Sequence, residues 1–145
     1  MDSGLNRLED HMDKELSLVP FSFKYLPLLY EMLKTQQYLD MSHISMKTLP
    51  KIGYICLLGK NPIAAGFLRR VEGGYAQLDG LTSNATFGGL IRHQGLNKVV
   101  LALISDAKDL KLNGILGITK DSGVLSRAKD LGFTVVEESL ITLRL

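Results

Sequence analysis

The clearest pattern in the chain is a long apolar stripe at helical spacing in its second half. Each member has another member three or four positions away, as on the buried face of an α-helix. An Asn-Gly pair at 113–114 predicts the end of this helix, and Ile115–Ile118 is predicted to form a buried strand. The stripe consists of Leu96, Val99, Val100, Leu103, Ile104, Ala107 and Leu110.

Three apolar segments precede this helix and are separated by short breaks at 59–62 and 72–74, both rich in turn residues. Breaks of this length favour antiparallel neighbours. The segments Ile52–Leu58, Ile63–Val71 and Tyr75–Thr82 therefore predict an antiparallel meander.

The two ends of the chain add shorter elements. A strand at Leu16–Val19 is followed by a helix with apolar positions 26, 29, 30 and 33 and then by a connecting segment, residues 38–50. After the long helix, Asp121 and Ser122 can cap a second helix, which runs to Leu131 and stops at Gly132. The segments Phe133–Val136 and Leu140–Leu145 are predicted to close the chain as a hairpin.

This order predicts a single α/β domain over residues 15–145, preceded by a polar lead-in at 1–14 that is disordered or a short helix. A helix joins the third meander strand to the strand at 115–118, so those two strands must be parallel. The sheet is therefore mixed: a meander, a parallel β-α-β crossover and a C-terminal hairpin. Ligands of such sheets collect where the strand direction switches, at the start of the crossover helix.

Charge favours a small anionic ligand over nucleic acid. The chain has 145 residues, with 17 Lys and Arg against 15 Asp and Glu, and a net charge of +2. Nucleic-acid-binding domains carry a more concentrated basic surface. Five acidic and two basic side chains fall in the first 15 residues, so the rest of the chain has a net charge of +5. This mild excess suits a small anion.

Cys56 is the single cysteine, and its apolar setting is typical of a buried strand. One cysteine excludes an intrachain disulfide and a multi-cysteine metal site. The longest apolar run of the second half, Val99–Ile104, is far shorter than the roughly 20 residues that span a bilayer. The amino terminus is acidic and lacks the apolar stretch of a secretory signal, so we expect a cytoplasmic protein with no membrane partner.

Candidate chemistry lies at the start of the long helix, in residues 87–98. Free backbone N–H groups, the helix dipole and the cation of Arg92 would together bind a phosphate or pyrophosphate there. A glycine at position 95 would let the phosphate approach the backbone closely. Glycines before a helix are also common in plain flexible turns, so this spacing is not specific by itself.

The order of elements resembles that of the GNAT superfamily of acyl-CoA-dependent N-acyltransferases, over residues 16–145. Arg92-x-x-Gly95-x-Asn97 is similar to the pyrophosphate motif of that family, with Asn97 where Gly or Ala is usual. The helix that ends in Leu-Gly-Phe at 131–133 resembles the family's closing helix. The resemblance implies transfer of an acetyl or other acyl group from acyl-CoA to a small-molecule or protein amine.

The resemblance also implies a set of acyl-CoA contacts at the helix start and on the strand before it. In the family, a backbone N–H of that strand bonds the thioester oxygen, and many members carry a Tyr that protonates the leaving thiolate. That position is Ala128 here. A free thiol has a pKa of about 8.5, so water can protonate the thiolate and the loss should slow catalysis rather than abolish it. The implied acyl-CoA contacts are Leu81, Thr82, Ser83, Arg92, His93, Gln94, Gly95, Leu96, Asn97 and Lys98.

Asp79 and His93 are the candidates for the base that deprotonates the amine. A salt-bridged carboxylate on a sheet face and a solvent-facing imidazole are the structural alternatives for these two residues. Strand alternation predicts Asp79 on one face with Gln77 and Leu81, and Thr82 on the other face.

Two other functions remain open from the sequence. A catalytically impaired protein of the same fold could act by binding a protein partner, which Ala128 and Asn97 favour. An unrelated α/β ligand-binding module is the third hypothesis. The apolar edge strand Leu140–Leu145 would be protected by pairing with a second copy, as in a homodimer.

Overall fold

The computed structural model describes residues 15–37, 40–118 and 122–135. Among these residues, no helix is both long and apolar enough to cross a bilayer. The strands are β1 (Leu16–Pro20), β2 (Ile52–Leu58), β3 (Asn61–Val71), β4 (Tyr75–Ser83) and β5 (Gly114–Leu116). The α-helices are α1 (Leu26–Thr35), which follows a 3₁₀ turn at Phe23–Tyr25, α2 (Gly89–Asp109) and α3 (Ser122–Asp130).

The five strands form one mixed sheet in the order β1-β2-β3-β4-β5. The first four pair antiparallel with their neighbours. β5 runs parallel to β4 because α2 crosses between them. The predicted α/β fold, with its meander and β-α-β crossover, is thereby confirmed. The predicted lead-in at 1–14 lies outside the described residues, as does the hairpin except for residues 133–135, which have no regular structure.

Helices α1 and α2 cover opposite faces of the sheet. Successive side chains of a strand point to opposite faces. In β3, Ala65 and Phe67 pack in a core with α1, whereas Ala64 and Leu68 pack in a core with α2. Cys56 is fully buried in the core with α2, which agrees with its predicted position in a buried strand. The helix residues buried in these cores include Leu29, Met32 and Leu33 of α1 and Leu96, Val99, Leu103 and Ala107 of α2.

Helix α2 ends earlier than the sequence predicted. Its last residue is Asp109, four positions before Asn113. Lys111 takes the left-handed conformation, with φ of 58°, and the amide of Leu112 bonds the carbonyl of Ala107 at 3.0 Å. A lysine thus occupies the position that glycine usually holds after a helix. The Asn-Gly pair is therefore not the helix stop.

Strand β5 is shorter and more exposed than predicted. It spans Gly114–Leu116 instead of Ile115–Ile118. Leu116 is 52% exposed and Ile118 77% exposed. Only three residues of β5 pair with β4 before the two strands separate, so the following residues leave the sheet. The predicted strand is present, but the prediction that it is buried is wrong for Leu116 and Ile118.

Helix α3 ends as predicted at a left-handed glycine. Gly132 has φ of 94°. The amide of Phe133 bonds the carbonyl of Ala128 at 2.9 Å, and that of Gly132 bonds the carbonyl of Lys129 at 3.0 Å. This pair of bonds is the Schellman motif, which satisfies the last carbonyls of the helix.

Candidate functional site

Strand β4 contains a bulge in the middle of the predicted site. Phe67 of β3 pairs with Asp79, and Ala65 pairs with Thr82, so two steps along β3 correspond to three along β4. Gly80 lies in the extra stretch with φ of 60°, a conformation that glycine adopts at no steric cost.

Because of the bulge, the side chains after Gly80 point to the faces opposite to those predicted by strict alternation. A Cβ atom at Gly66 would lie 2.9 Å from Cδ1 of Leu81 and 3.0 Å from Cγ1 of Val99, so Leu81 lies on the α2 side of the sheet. Thr82 pairs with Ala65 and therefore shares the α1 side. Leu81 and Thr82 have exchanged the faces that strict alternation predicted.

Strands β4 and β5 part just before the bulge. Tyr75–Gln77 pairs with β5, but β4 continues to Ser83 with only β3 as its partner. From Leu78 onward, alternate N–H and C=O groups of β4 have no strand partner among the described residues. The parted strands leave a cleft in which a ligand can bond these groups.

A cavity of 480 Å³, here called the arginine cavity, lies where β4, α2 and α3 meet. Its lining holds two arginines and no carboxylate among the described residues. Such a lining is suited to an anion. The lining residues are Gln36 after α1, Leu81, Thr82 and Ser83 of β4, Gly89, Arg92 and Leu96 of α2, and Gly123, Val124 and Arg127 of α3.

Both arginines of the cavity are anchored through Nε. Nε of Arg92 donates to Oγ of Ser83 at 3.0 Å. Nε of Arg127 donates to Nδ1 of His93 at 3.1 Å. The terminal nitrogens of both guanidinium groups make no hydrogen bond with the described residues. Each side chain can therefore offer two N–H groups to an oxyanion.

The free amides of α2 lie one turn before the predicted motif. Gly88 is the N-cap, and the first intrahelical bond runs from the amide of Arg92 to the carbonyl of Gly88 at 3.2 Å. The amides of residues 89–91 therefore have no partner within the helix. Residues 93–98 lie inside the helix, so their amides bond the preceding turn. The backbone N–H groups that are free to bind an anion are therefore those of residues 89–91, and not those of the motif at 93–98.

Gly95 packs against the sheet instead of facing the cavity. It is buried, and a Cβ atom there would lie 2.7 Å from Cγ2 of Ile63. Glycine is needed at this position because helix and strand approach closely. The predicted reason, contact with a phosphate, is not the one that the geometry supports.

The structure divides the predicted acyl-CoA contacts into two groups. Half of them line the arginine cavity, while the other half lie on α2 outside it. Nδ2 of Asn97 lies 3.0 Å from Nε2 of His93. The side-chain oxygens of Gln94 and Asn97 are buried. The residues outside the cavity lining are His93, Gln94, Gly95, Asn97 and Lys98.

A second cavity of 430 Å³, here called the Asp79 cavity, occupies the cleft between the parted strands. Oδ2 of Asp79 lies 2.7 Å from Nε of Arg69, whose Nη2 donates to the carbonyl of Thr48 at 2.8 Å. The linings of the two cavities share Leu81 and Val124, so the cavities adjoin at these residues. Besides Asp79, Leu81 and Val124, the residues that line the Asp79 cavity are Gln77, Leu78, Gly80, Gly117, Ile118 and Phe133.

The two predicted bases do not come together. Asp79 lines the second cavity and forms the salt bridge that the sequence left open as its alternative role. His93 is exposed on α2 and lines neither cavity.

The loop between β4 and α2 is held by Asn84, which is 3% exposed. Its Nδ2 donates to the carbonyl of Pro62 at 2.8 Å, and its amide donates to the carbonyl of Ile63 at 2.8 Å. Its Oδ1 accepts from the amide of Thr86 at 3.1 Å. These bonds fix the start of α2 relative to β3.

The end of α1 holds the same loop from the other side. Nε2 of Gln36 donates to the carbonyl of Ser83 at 2.8 Å. Oγ1 of Thr35 accepts from the amide of Ala85 at 3.0 Å. The backbone beside the arginine cavity is therefore clamped by α1 and by β3.

Half of the cavity lining was not predicted from the sequence. Gln36 and Arg127 reach the cavity from helices that are distant in sequence, and Gly123 and Val124 come from the first turn of α3. Gly88 and Gly89, at the start of α2, are the one local sequence signal for this part of the lining, because they mark the turn whose amides have no partner within the helix.

The position that carries Tyr in many GNAT proteins has no hydroxyl group here. Ala128 is half-buried on α3. Thr82 and Ser83 are the hydroxyl-bearing residues in the described lining of the arginine cavity, and the described lining of the Asp79 cavity contains none. The resemblance to the family therefore does not extend to that acid.

No family model matches the chain, and no curated protein matches its sequence. The fold, in contrast, is similar to many solved structures. A GNAT-family acetyltransferase of Staphylococcus aureus has a TM-score of 0.71 at 14% identity, over 84% of this chain and 86% of that one. An aminoglycoside acetyltransferase from an uncultured soil metagenomic sample has a TM-score of 0.68 at 12% identity, over 92% and 98%.

A protein of Mycobacterium tuberculosis that was solved in complex with CoA has a TM-score of 0.68 at 16% identity, over 87% of this chain and 76% of that one. These identities are low, so the likeness establishes the fold. The chain has the GNAT fold, as its order of elements predicted.

Proposed function

We propose that the chain transfers an acyl group from acyl-CoA to an amine. The observation that carries this proposal is the arginine cavity. It combines Arg92, Arg127 and the free amides at 89–91 at the start of a helix, where a diphosphate is favoured by charge and by hydrogen bonding.

The arrangement of the two cavities supports acyl-CoA as the ligand. CoA carries its diphosphate between an adenosine 3′-phosphate and the pantetheine arm that ends in the thiol, so it needs an anion site that opens onto space for this arm. The arginine cavity adjoins the cleft between β4 and β5 at Leu81 and Val124. Unpaired backbone groups beyond Leu78 could bond the amides of the thiol arm.

The transfer forms one C–N bond and breaks one C–S bond, while a proton passes from the amine to the thiolate. A backbone N–H in the stretch Leu81–Ser83 would bond the thioester oxygen as negative charge develops on it. Asp79 would take the proton from the amine. Its Oδ2 is held by Arg69, so Oδ1 is the atom available for this step.

His93 is not suited to act as the base. Nδ1 already accepts a hydrogen bond from Arg127, and Nε2 faces the side-chain amide of Asn97. The structure of the free protein therefore favours Asp79 of the two candidates. Protonation of the leaving thiolate falls to water or to a hydroxyl of β4, since position 128 is alanine.

Thermal unfolding with and without CoA tests the binding step. At about 100 times its dissociation constant, CoA should stabilise the fold by about 2.7 kcal/mol and raise Tm by about 5–10 °C. Arg92→Gln should weaken binding about tenfold or more, because it removes charge-assisted hydrogen bonds. Lys108→Gln, a matched loss of charge at the far end of α2, should keep the wild-type shift. An unchanged Tm for wild type would overturn the proposal.

Release of free thiol from acetyl-CoA in the presence of a panel of amines tests the chemical step. Wild type should release thiol faster with a suitable amine than without one, and Asp79→Asn should lower kcat with little change in CoA affinity. CoA binding without thiol release for any amine would favour the alternative, a protein of this fold that acts by binding a partner.

A further inference from the structure

We infer that His93 is a positioning residue that orients Arg127 toward the diphosphate of the acyl donor. This inference rests on the proposed function and replaces the role of base for His93. Nδ1 of His93 lies 3.1 Å from Nε of Arg127, although the two residues are on different helices. Arg127 lines the cavity and His93 does not, so the imidazole acts through the guanidinium.

The hydrogen-bond chemistry of the imidazole supports this role. An Nδ1 that accepts from Arg127 requires a neutral ring with its proton on Nε2. Nε2 lies 3.0 Å from the side-chain amide of Asn97. If the oxygen of that amide faces Nε2, it accepts this proton, and the buried oxygen of Asn97 gains a partner. Asn97, His93 and Arg127 then form one chain of hydrogen bonds that ends at the cavity.

The second arginine shows the same arrangement from another element. Nε of Arg92 is anchored on Oγ of Ser83 at 3.0 Å. In both arginines the anchor uses Nε and leaves the two terminal nitrogens for the ligand. A guanidinium held in this way loses less conformational freedom when it binds an anion. His93 is thus to Arg127 what Ser83 is to Arg92, although His93 itself lies outside the cavity lining.

A double-mutant cycle tests whether His93 acts through Arg127. We expect His93→Leu to weaken CoA binding about 3- to 10-fold in isothermal titration, which corresponds to one hydrogen bond. In an Arg127→Gln background the same change should have no effect. His93→Gln keeps an acceptor and should restore most of the affinity. His43→Leu, a change at an exposed histidine in the loop before β2, is the matched control and should bind CoA as wild type does.

An equal loss on replacing His93 in both backgrounds would overturn the inference while leaving the proposed function intact. A wild-type protein that does not bind CoA would overturn both. The contact itself is read without ligand from the exchange of the Arg127 Nε proton with water, followed by NMR. This exchange should be slower in wild type than in His93→Leu, and equal rates would exclude the anchor whatever the outcome with CoA.

Discussion

A single hydrogen atom at position 95 sets how closely α2 approaches β3. A methyl group there would lie 2.7 Å from Cγ2 of Ile63, which is fully buried and has no room to move. Gly95→Ala should therefore lower the free energy of unfolding by about 1–2 kcal/mol, even after the gain of up to about 1 kcal/mol from helix propensity. Urea unfolding of the free protein measures this loss.

Gly88→Ala is the matched control for that change. Gly88 has an ordinary φ of −67°, and a Cβ atom there would meet nothing within 4 Å. The free energy of unfolding of Gly88→Ala should stay within about 0.5 kcal/mol of that of wild type. If Gly95→Ala were equally stable but lost CoA binding, Gly95 would face the ligand and the packing explanation would be wrong.

At the scale of single residues, the sequence was a good guide to side chains next to a strong local pattern. Arg92 was found because it lies at the start of a long amphipathic helix, whereas Leu81–Ser83 at the end of β4 was implied by the resemblance to the GNAT superfamily. Arg127 and Gln36 were missed because only tertiary packing brings their helices to the cavity. Gly95 was found but explained incorrectly, since sequence spacing does not show which face of a glycine is crowded.

At the scale of elements, one side-chain pair ties β2 to α2. The hydroxyl of Tyr54 donates to Oδ2 of Asp106 at 2.7 Å. This hydrogen bond, followed by burial and by the charges of Asp106 and Asp109, raises the pKa of Tyr54 from 10.0 to about 12. The protonated tyrosine is therefore favoured in the folded state. The stability it adds is complete below pH 10 and is lost as pH rises from 10 to about 12.

Tyr54→Phe should lower the free energy of unfolding by about 1–2 kcal/mol at neutral pH. The difference between wild type and variant should shrink as pH rises from 10 to 12, because only wild type loses this hydrogen bond. Urea unfolding across that range measures it. Tyr75→Phe, at a hydroxyl without a hydrogen bond to the described residues, is the matched control and should have nearly the wild-type free energy of unfolding at neutral pH. A difference between wild type and Tyr54→Phe that stayed constant from pH 10 to 12 would contradict the assignment.

The elements themselves were predictable wherever apolar spacing was regular. The strands from Ile52 to Ser83 and the body of α2 follow this rule. The bulge at Gly80 was missed because glycine fits an alternating pattern as well as it fits a bulge. The end of α2 was misplaced because Lys111 adopts a conformation that sequence signals assign to glycine or asparagine.

At the scale of the whole molecule, α3 differs from the other helices. Neither core contains a described residue of α3, whereas α1 and α2 each supply several. Helix α3 forms one wall of the arginine cavity, and Arg127 bonds it to α2 through His93. Helices with few buried apolar contacts open more readily than those in a core. In the free protein, the amides of α3 should therefore exchange with solvent faster than those in the middle of α2.

Binding of CoA should reduce the difference in exchange rate between α3 and α2, because the cavity is complete only when α3 is docked against β4 and α2. At about 100 times the dissociation constant, the ligand should slow amide exchange throughout α3 by up to about 100-fold, since opening of this helix would release it. Hydrogen exchange followed by mass spectrometry measures this change in a peptide that spans Ser122–Asp130. Arg127→Gln at the same CoA concentration should show a smaller slowing because it binds CoA more weakly, whereas Lys129→Gln, a neighbouring exposed cation, should match wild type. Slower exchange in the core with unchanged rates in α3 would mean that CoA binds away from this helix, and it would remove Arg127 from the proposed site.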